Sequence, residues 1–152
     1  METKVIQNSL FFQEVASRIA DGERVRIRVK GNSMLPFVRD TKDEVVLEKP
    51  TQQSFRKGRL LLVQMPSKSY LLHRVEKIDN HTQITLRGDG NLSIAETCTT
   101  SDVIAEATTV VRSGKEIQVG SLQWNLFRYL WPSNPFLRRV GLGVYRRVFC
   151  NG

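Results

Sequence analysis

From Arg24 to Lys30 the chain alternates strictly. Val25, Ile27 and Val29 interleave with Arg24, Arg26, Arg28 and Lys30. A period of two puts the three aliphatic side chains on one face and the four cations on the other, so this segment is a half-buried strand and not a helix. Further strand segments follow at Glu44–Glu48, Arg59–Met65, Ser69–Ile78, Gln83–Arg87, Val103–Val111 and Glu116–Val119. Turn sequences separate them: Lys49-Pro50, Lys57-Gly58, Met65-Pro66-Ser67, Asp79-Asn80, Gly88-Asp89-Gly90-Asn91 and Ser113-Gly114. Many short strands with regular turns predict a mainly β protein, a compact sheet or partial barrel.

Helical periodicity is confined to the two ends. Phe12, Val15 and Ile19 predict a short helix over 9–20, closed by Asp21-Gly22. Past Gly120 a helix is expected over 122–131. A second starts at Asn134, an N-cap residue followed by Pro135 at the first helical position. The expected organisation is an N-terminal helix in 1–22, a β domain over 23–120 and a helical segment over 121–152.

Charge divides the chain at the same place. With 152 residues, 23 Lys and Arg and 15 Asp and Glu, the net charge is +8. Residues 121–152 supply five arginines, no acid and seven of the twelve aromatics, which leaves the first 120 residues at only +3. Arginine mixed with Trp, Tyr and Phe suits an interfacial membrane helix. It equally suits a helical pair whose aromatics pack on the sheet while its arginines face water. The longest apolar run, Leu60 to Val63, has four residues, against the ~20 a membrane-spanning helix needs. The N-terminus lacks the basic start and apolar stretch of a secretory signal. Cys98 and Cys150 form no CxxC pair, so neither a zinc ribbon nor a redox motif is expected. No helix-turn-helix or zinc pattern points to DNA.

Three segments carry groups capable of chemistry. A serine hydroxyl becomes a useful nucleophile when a base takes its proton, histidine is the usual base, and a carboxylate can fix the imidazole tautomer. Ser33, His73 and Asp89 would supply these roles from Gly31-Asn32-Ser33-Met34-Leu35-Pro36, Tyr70–Val75 and Gly88–Asn91. Gly31, beside Ser33, lets backbone amides approach an oxyanion closely. Taken singly each segment is ordinary: a Gly-x-Ser turn, a strand histidine and a Gly-Asp-Gly turn.

In order, the segments resemble signal peptidase I and the LexA-type serine peptidases. The resemblance runs over Ser33-Met34-Leu35-Pro36, Asp43-Glu44-Val45-Val46, Gly58-Arg59-Leu60-Leu61-Leu62-Val63, His73-Arg74-Val75 and Gly88-Asp89-Gly90-Asn91, roughly residues 23–120. It implies that family's all-β fold, with Ser33 as nucleophile and Gly31 and Met34 in the oxyanion loop. Bacterial members use a lysine base. His73 in that place resembles the endoplasmic-reticulum subgroup, which pairs serine with histidine and adds an aspartate. The family's orienting carboxylate lies several residues past the Gly-Asp turn, where this chain has Ala95, so Asp89 and Glu96 are both candidates. A hairpin of strands 69–78 and 83–87 with a loop of about four residues pairs 78 with 83 and puts 73 opposite 88, which favours Asp89. Two departures from the family stand out: Gly31 replaces a serine or threonine two residues before the nucleophile, and no N-terminal membrane anchor is seen.

The expected function is a serine endopeptidase acting on a peptide or precursor protein through an acyl-enzyme, with no metal and no organic cofactor. The expected setting is cytoplasmic, with peripheral contact between 121–152 and an anionic membrane at its inner face. The alternatives are a non-catalytic peptide- or membrane-binding module on a peptidase fold, and a LexA-type self-cleaving peptidase.

Overall fold

The computed structural model describes residues 2–30, 33–39, 41–80, 82–91, 95–132 and 134–150. Gly31 and His81 lie outside them. Eight antiparallel strands form one curled, half-barrel sheet: β1 (Val25–Arg28), β2 (Glu44–Glu48), β3 (Leu60–Gln64), β4 (Tyr70–Asp79), β5 (Gln83–Arg87), β6 (Glu96–Thr99), β7 (Val103–Arg112) and β8 (Lys115–Gln118). Their order is β1-β2-β7-β3-β4-β5-β6, with β8 also on β7. The mainly β expectation holds, with helices at both ends: α1 (Glu2–Ala20), α2 (Leu122–Leu130) and α3 (Pro135–Tyr145). Asn134 caps α3 as its sequence predicts, its side chain accepting from the amides of Phe136 and Leu137.

The ten-residue β7 is the spine. Its Glu106–Val111 stretch pairs with β2, while Val103–Ala107 pairs with β3 and Thr109–Arg112 with β8. Strand β3 explains the one continuous apolar run. Leu60, Leu61, Leu62 and Val63 are all buried because both faces of the sheet are covered there. The pleat sends Leu60 and Leu62 to one core, with Val15, Ile19, Ile27, Phe37, Val45 and Trp124. Leu61 and Val63 go to a second core with Val75, Ile84, Leu86 and Cys98. Helix α1 closes the first core through Val15 and Ile19, and its Phe12 ring stacks on Tyr70 at 4.6 Å.

The C-terminal helices are seated on the same body. Trp124 is buried, its ring edge-on to Phe37 at 5.0 Å, and Phe127 stacks on Trp131 at 5.4 Å. The buried Arg138 departs from the expectation that the arginines of this segment face either water or lipid. A strand absent from the sequence reading, β6, begins at Glu96 and pairs with β5.

The β4–β5 hairpin is one residue off the expected register at its tip, where Ile78 faces Ile84 and Asp79 faces Gln83. A bulge between Val75 and Lys77 restores the expected offset further in, so that Arg74 faces Arg87.

Candidate active site

His73 sits in β4 opposite Leu61 of β3, buried on the face of the second core. Its Nδ1 lies 2.9 Å from Glu96 Oε2. The ladder explains the meeting. Val75 faces Leu86 across β4 and β5, and Leu86 faces Glu96 across β5 and β6. Paired residues share a face, as do residues two apart on a strand, so Glu96 stands on the face of Val75 and His73. An ionised carboxylate can only accept, so this contact places the proton of a neutral ring on Nδ1 and leaves Nε2 as the acceptor.

Asp89 is not the partner of His73. Its carboxylate is buried and grips Arg74 in a bidentate pair, with Nε donating to Oδ1 at 2.9 Å and the second guanidinium nitrogen to Oδ2 at 2.8 Å. The register argument fails by parity. With Arg74 opposite Arg87, continuing the ladder sets His73 opposite Gly88, and Asp89 one residue further falls on the opposite face, with Arg74. Arg74 also donates to the Gly58 carbonyl at 2.9 Å and lies over the Phe37 ring at 4.7 Å and the Trp124 ring at 5.6 Å. Adjacent residues of one strand therefore divide the work: Arg74 faces the aromatic first core and His73 the opposite side.

Ser33 is half-buried and comes to this hairpin by its backbone. Its carbonyl accepts the Gly90 amide at 2.7 Å. A Cβ at Gly88 would lie 2.2 Å from that carbonyl oxygen, backbone against backbone, so only glycine fits there. The turn that follows the strand facing His73 thus pins the Ser33 segment. No hydrogen bond joins the Ser33 and His73 side chains among the described residues, and such contacts are commonly long before substrate binds. The Met34 side chain is buried in the first core, so it anchors the loop.

Asp43 fixes the rest of this loop. It is fully buried, accepts from the Arg39 amide at 2.8 Å and its guanidinium at 2.7 Å, and accepts from Arg112 at 3.0 Å. Arg112 donates in turn to the Phe37 carbonyl at 2.7 Å and that of Pro36 at 3.3 Å. Burial would raise the Asp43 carboxyl, but hydrogen bonds from Arg39 and then Arg112 outweigh it and hold its pKa below the usual value.

The C-terminal segment locks the turn from outside. Trp131 Nε1 donates to the Asp89 carbonyl at 2.9 Å, and Arg138 donates to the carbonyls of Gly88 and Asn91, both at 3.0 Å. Sequence reading missed this lock, the Asp43 hub and the role of Arg74. Only Asp43, at the head of an apolar strand, and the tryptophans in a basic segment hinted at them.

Cys98 does not compete as a nucleophile. Burial, with the charge of Asp102, pushes its thiol up to about 11, so it stays protonated at neutral pH. Among the described residues no group of three His, Cys, Asp or Glu gathers to hold a metal, and no helix is long and apolar enough to cross a membrane. No family model matches the chain, and no curated protein matches it in sequence.

The Asp43 hub generates a pH prediction. Because its folded pKa is lowered, the stability it contributes is present above the unfolded value of about 3.9 and is lost as pH falls through the folded pKa. Asp43→Asn should cost about 1–3 kcal/mol at neutral pH and flatten the acid limb. Urea midpoints measured from neutral to acid pH check this; an unchanged acid slope contradicts it.

Proposed function

We propose that this protein is a serine endopeptidase of signal-peptidase type, with Ser33 as nucleophile, His73 as general base and Glu96 as the residue that orients His73. The observation that carries this reading is the contact of the buried His73 with the half-buried Glu96, on the strand next to the turn that pins Ser33. Ser33 attacks the peptide carbonyl, His73 takes its proton at Nε2 and returns it to the leaving amine, and Glu96 stabilises the transient imidazolium. Water then repeats the sequence on the acyl-enzyme. Oxyanion donors are expected from backbone amides around Ser33. Strand β1, which leads toward Ser33, ends the sheet order, so an extended peptide can add to its open side.

The corrected carboxylate assignment sets the expected pattern in a peptide-cleavage assay. Ser33→Ala should abolish turnover. His73→Ala and Glu96→Gln should each lose at least ~100-fold in rate with the fold retained. Activity should fall on the acid side, where imidazolium cannot accept the serine proton. Asp89→Asn should act on stability, at about 3–5 kcal/mol, because it leaves the buried Arg74 without its counter-charge. Full turnover by Glu96→Gln, with inactivation by Asp89→Asn at undiminished stability, would reverse the assignment. A folded protein with no turnover on any peptide would favour the binding-module alternative.

We also infer peripheral attachment to the inner face of an anionic membrane from the cytoplasm. Leu122, Leu126 and Leu130 form an exposed stripe on α2, and Leu137, Val140 and Val144 an exposed stripe on α3. Exposed Arg139, Arg146 and Arg147 accompany them in a segment without acids. Apolar area plus cations suits an anionic bilayer surface. Leu126→Asp with Leu130→Asp should release the protein from phosphatidylglycerol vesicles in co-sedimentation and leave its fold intact; undiminished binding would contradict the attachment.

A further inference from the structure

A cleft lies between the β4–β5 hairpin, the Lys57-Gly58 turn and the C-terminal helices, away from the His73 face of the sheet. Lys57, Arg74, Arg87, Arg128 and Arg138 line it against only Glu76 and Asp89. Two of the cations are matched inside it, Arg74 by Asp89 and Arg87 by Glu76. Among the described residues, no carboxylate lies within ion-pair distance of Lys57, Arg128 or Arg138. Arg138 spends its donors on backbone carbonyls, and Asp89 and Glu76 act on its charge without pairing with it. Burial, and next the charge of Arg87, pull its pKa below the usual arginine value, so these cations act on one another across the cleft.

The cleft is also shaped for its guanidinium. A Cβ at Gly58 would lie 2.2 Å from Arg128 Nε, and Gly58 has φ +92°. The glycine therefore lets Arg128 lie flat along the wall, while exposed Lys57 stands at the mouth. The space within this open cleft is about 60 Å³, against roughly 10–15 Å³ for one water. That admits a single tetrahedral oxyanion.

We propose that this cleft is an oxyanion site that takes one phosphate group, held by Arg128 and Lys57 with Arg138 behind them. Planar guanidinium donors match phosphate oxygens in pairs. A local excess of three positive charges at the cleft, five cations against two carboxylates, calls for an anion carrying more than one acceptor oxygen. The phosphate can come free in solution or as a phospholipid headgroup presented beside the exposed stripes of α2 and α3. The proposal does not rest on the peptidase reading, because none of the cleft residues belongs to the Ser33, His73 and Glu96 set.

Calorimetric titration of the full chain with inorganic phosphate, and separately with monomeric dihexanoyl phosphatidylglycerol, tests it at fixed ionic strength. Wild type should bind at least one of them, and the tighter of the two identifies the source. Arg128→Gln and Lys57→Gln should each weaken that binding about 10- to 100-fold, the loss of one charge-assisted hydrogen bond. Lys57 is exposed, so its variant keeps the test sound if Arg128→Gln folds poorly. No binding of either probe to folded wild type, or equal binding by Lys57→Gln, overturns the proposal.

Discussion

The buried pair of Arg74 and Asp89 holds the molecule's separate parts together. Its two ends reach several elements at once. Arg74 belongs to β4, donates to the Gly58 turn and lies under the rings of Phe37, Trp124 and Phe127. Asp89 belongs to the turn after β5, and its carbonyl accepts from Trp131 and Arg138 of the C-terminal segment. Taking both charges out of water costs several kcal/mol per ion. The bidentate geometry and the aromatic faces over the guanidinium offset that cost. Such a pair is weak evidence for net stability. Losing one partner, however, strands a charge in an apolar interior, against the Gly58 turn and the rings of Phe37, Trp124 and Phe127.

The strand carrying Arg74 also carries His73, and the pleat keeps their surroundings apart. On one face the guanidinium ties strand, turn and helices into a unit. On the other, the imidazole meets Glu96 with only the second core beneath it. The Gly88–Asn91 turn serves both faces, because its Asp89 closes the ion pair while its Gly90 amide holds the Ser33 carbonyl. Positioning of the serine segment is therefore coupled to the structural lock through backbone, a more rigid link than a side-chain contact. Asp43, with Arg39 and Arg112, does the same for the far end of the loop.

Much of the fold was legible because it rests on local rules. Alternation at Val25, Ile27 and Val29, the turn sequences, and the Asn134-Pro135 helix start each act within a few residues. Strand β6 escaped because Glu96-Thr97-Cys98-Thr99 buries one side chain, Cys98, and has no apolar alternation to read. The exchange of Asp89 for Glu96 came from a parity error of one residue: the offset near Arg74 was right, but the residue beyond Gly88 faces the other way. The bonds from Arg112 to Asp43, 69 residues apart, and from Arg138 to Gly88, 50 residues apart, are set by tertiary packing. No local pattern encodes them. An arginine in a basic segment reads as a surface residue until the chain is folded over it.

The central claim is that Ser33 is activated by His73. Treatment with a fluorophosphonate probe, followed by peptide mass mapping, tests it without knowledge of the substrate. The account predicts a covalent adduct on Ser33 in the wild-type chain and none in a folded His73→Ala variant. No adduct on folded wild type, an adduct on another serine alone, or equal labelling of Ser33 without His73 would contradict it.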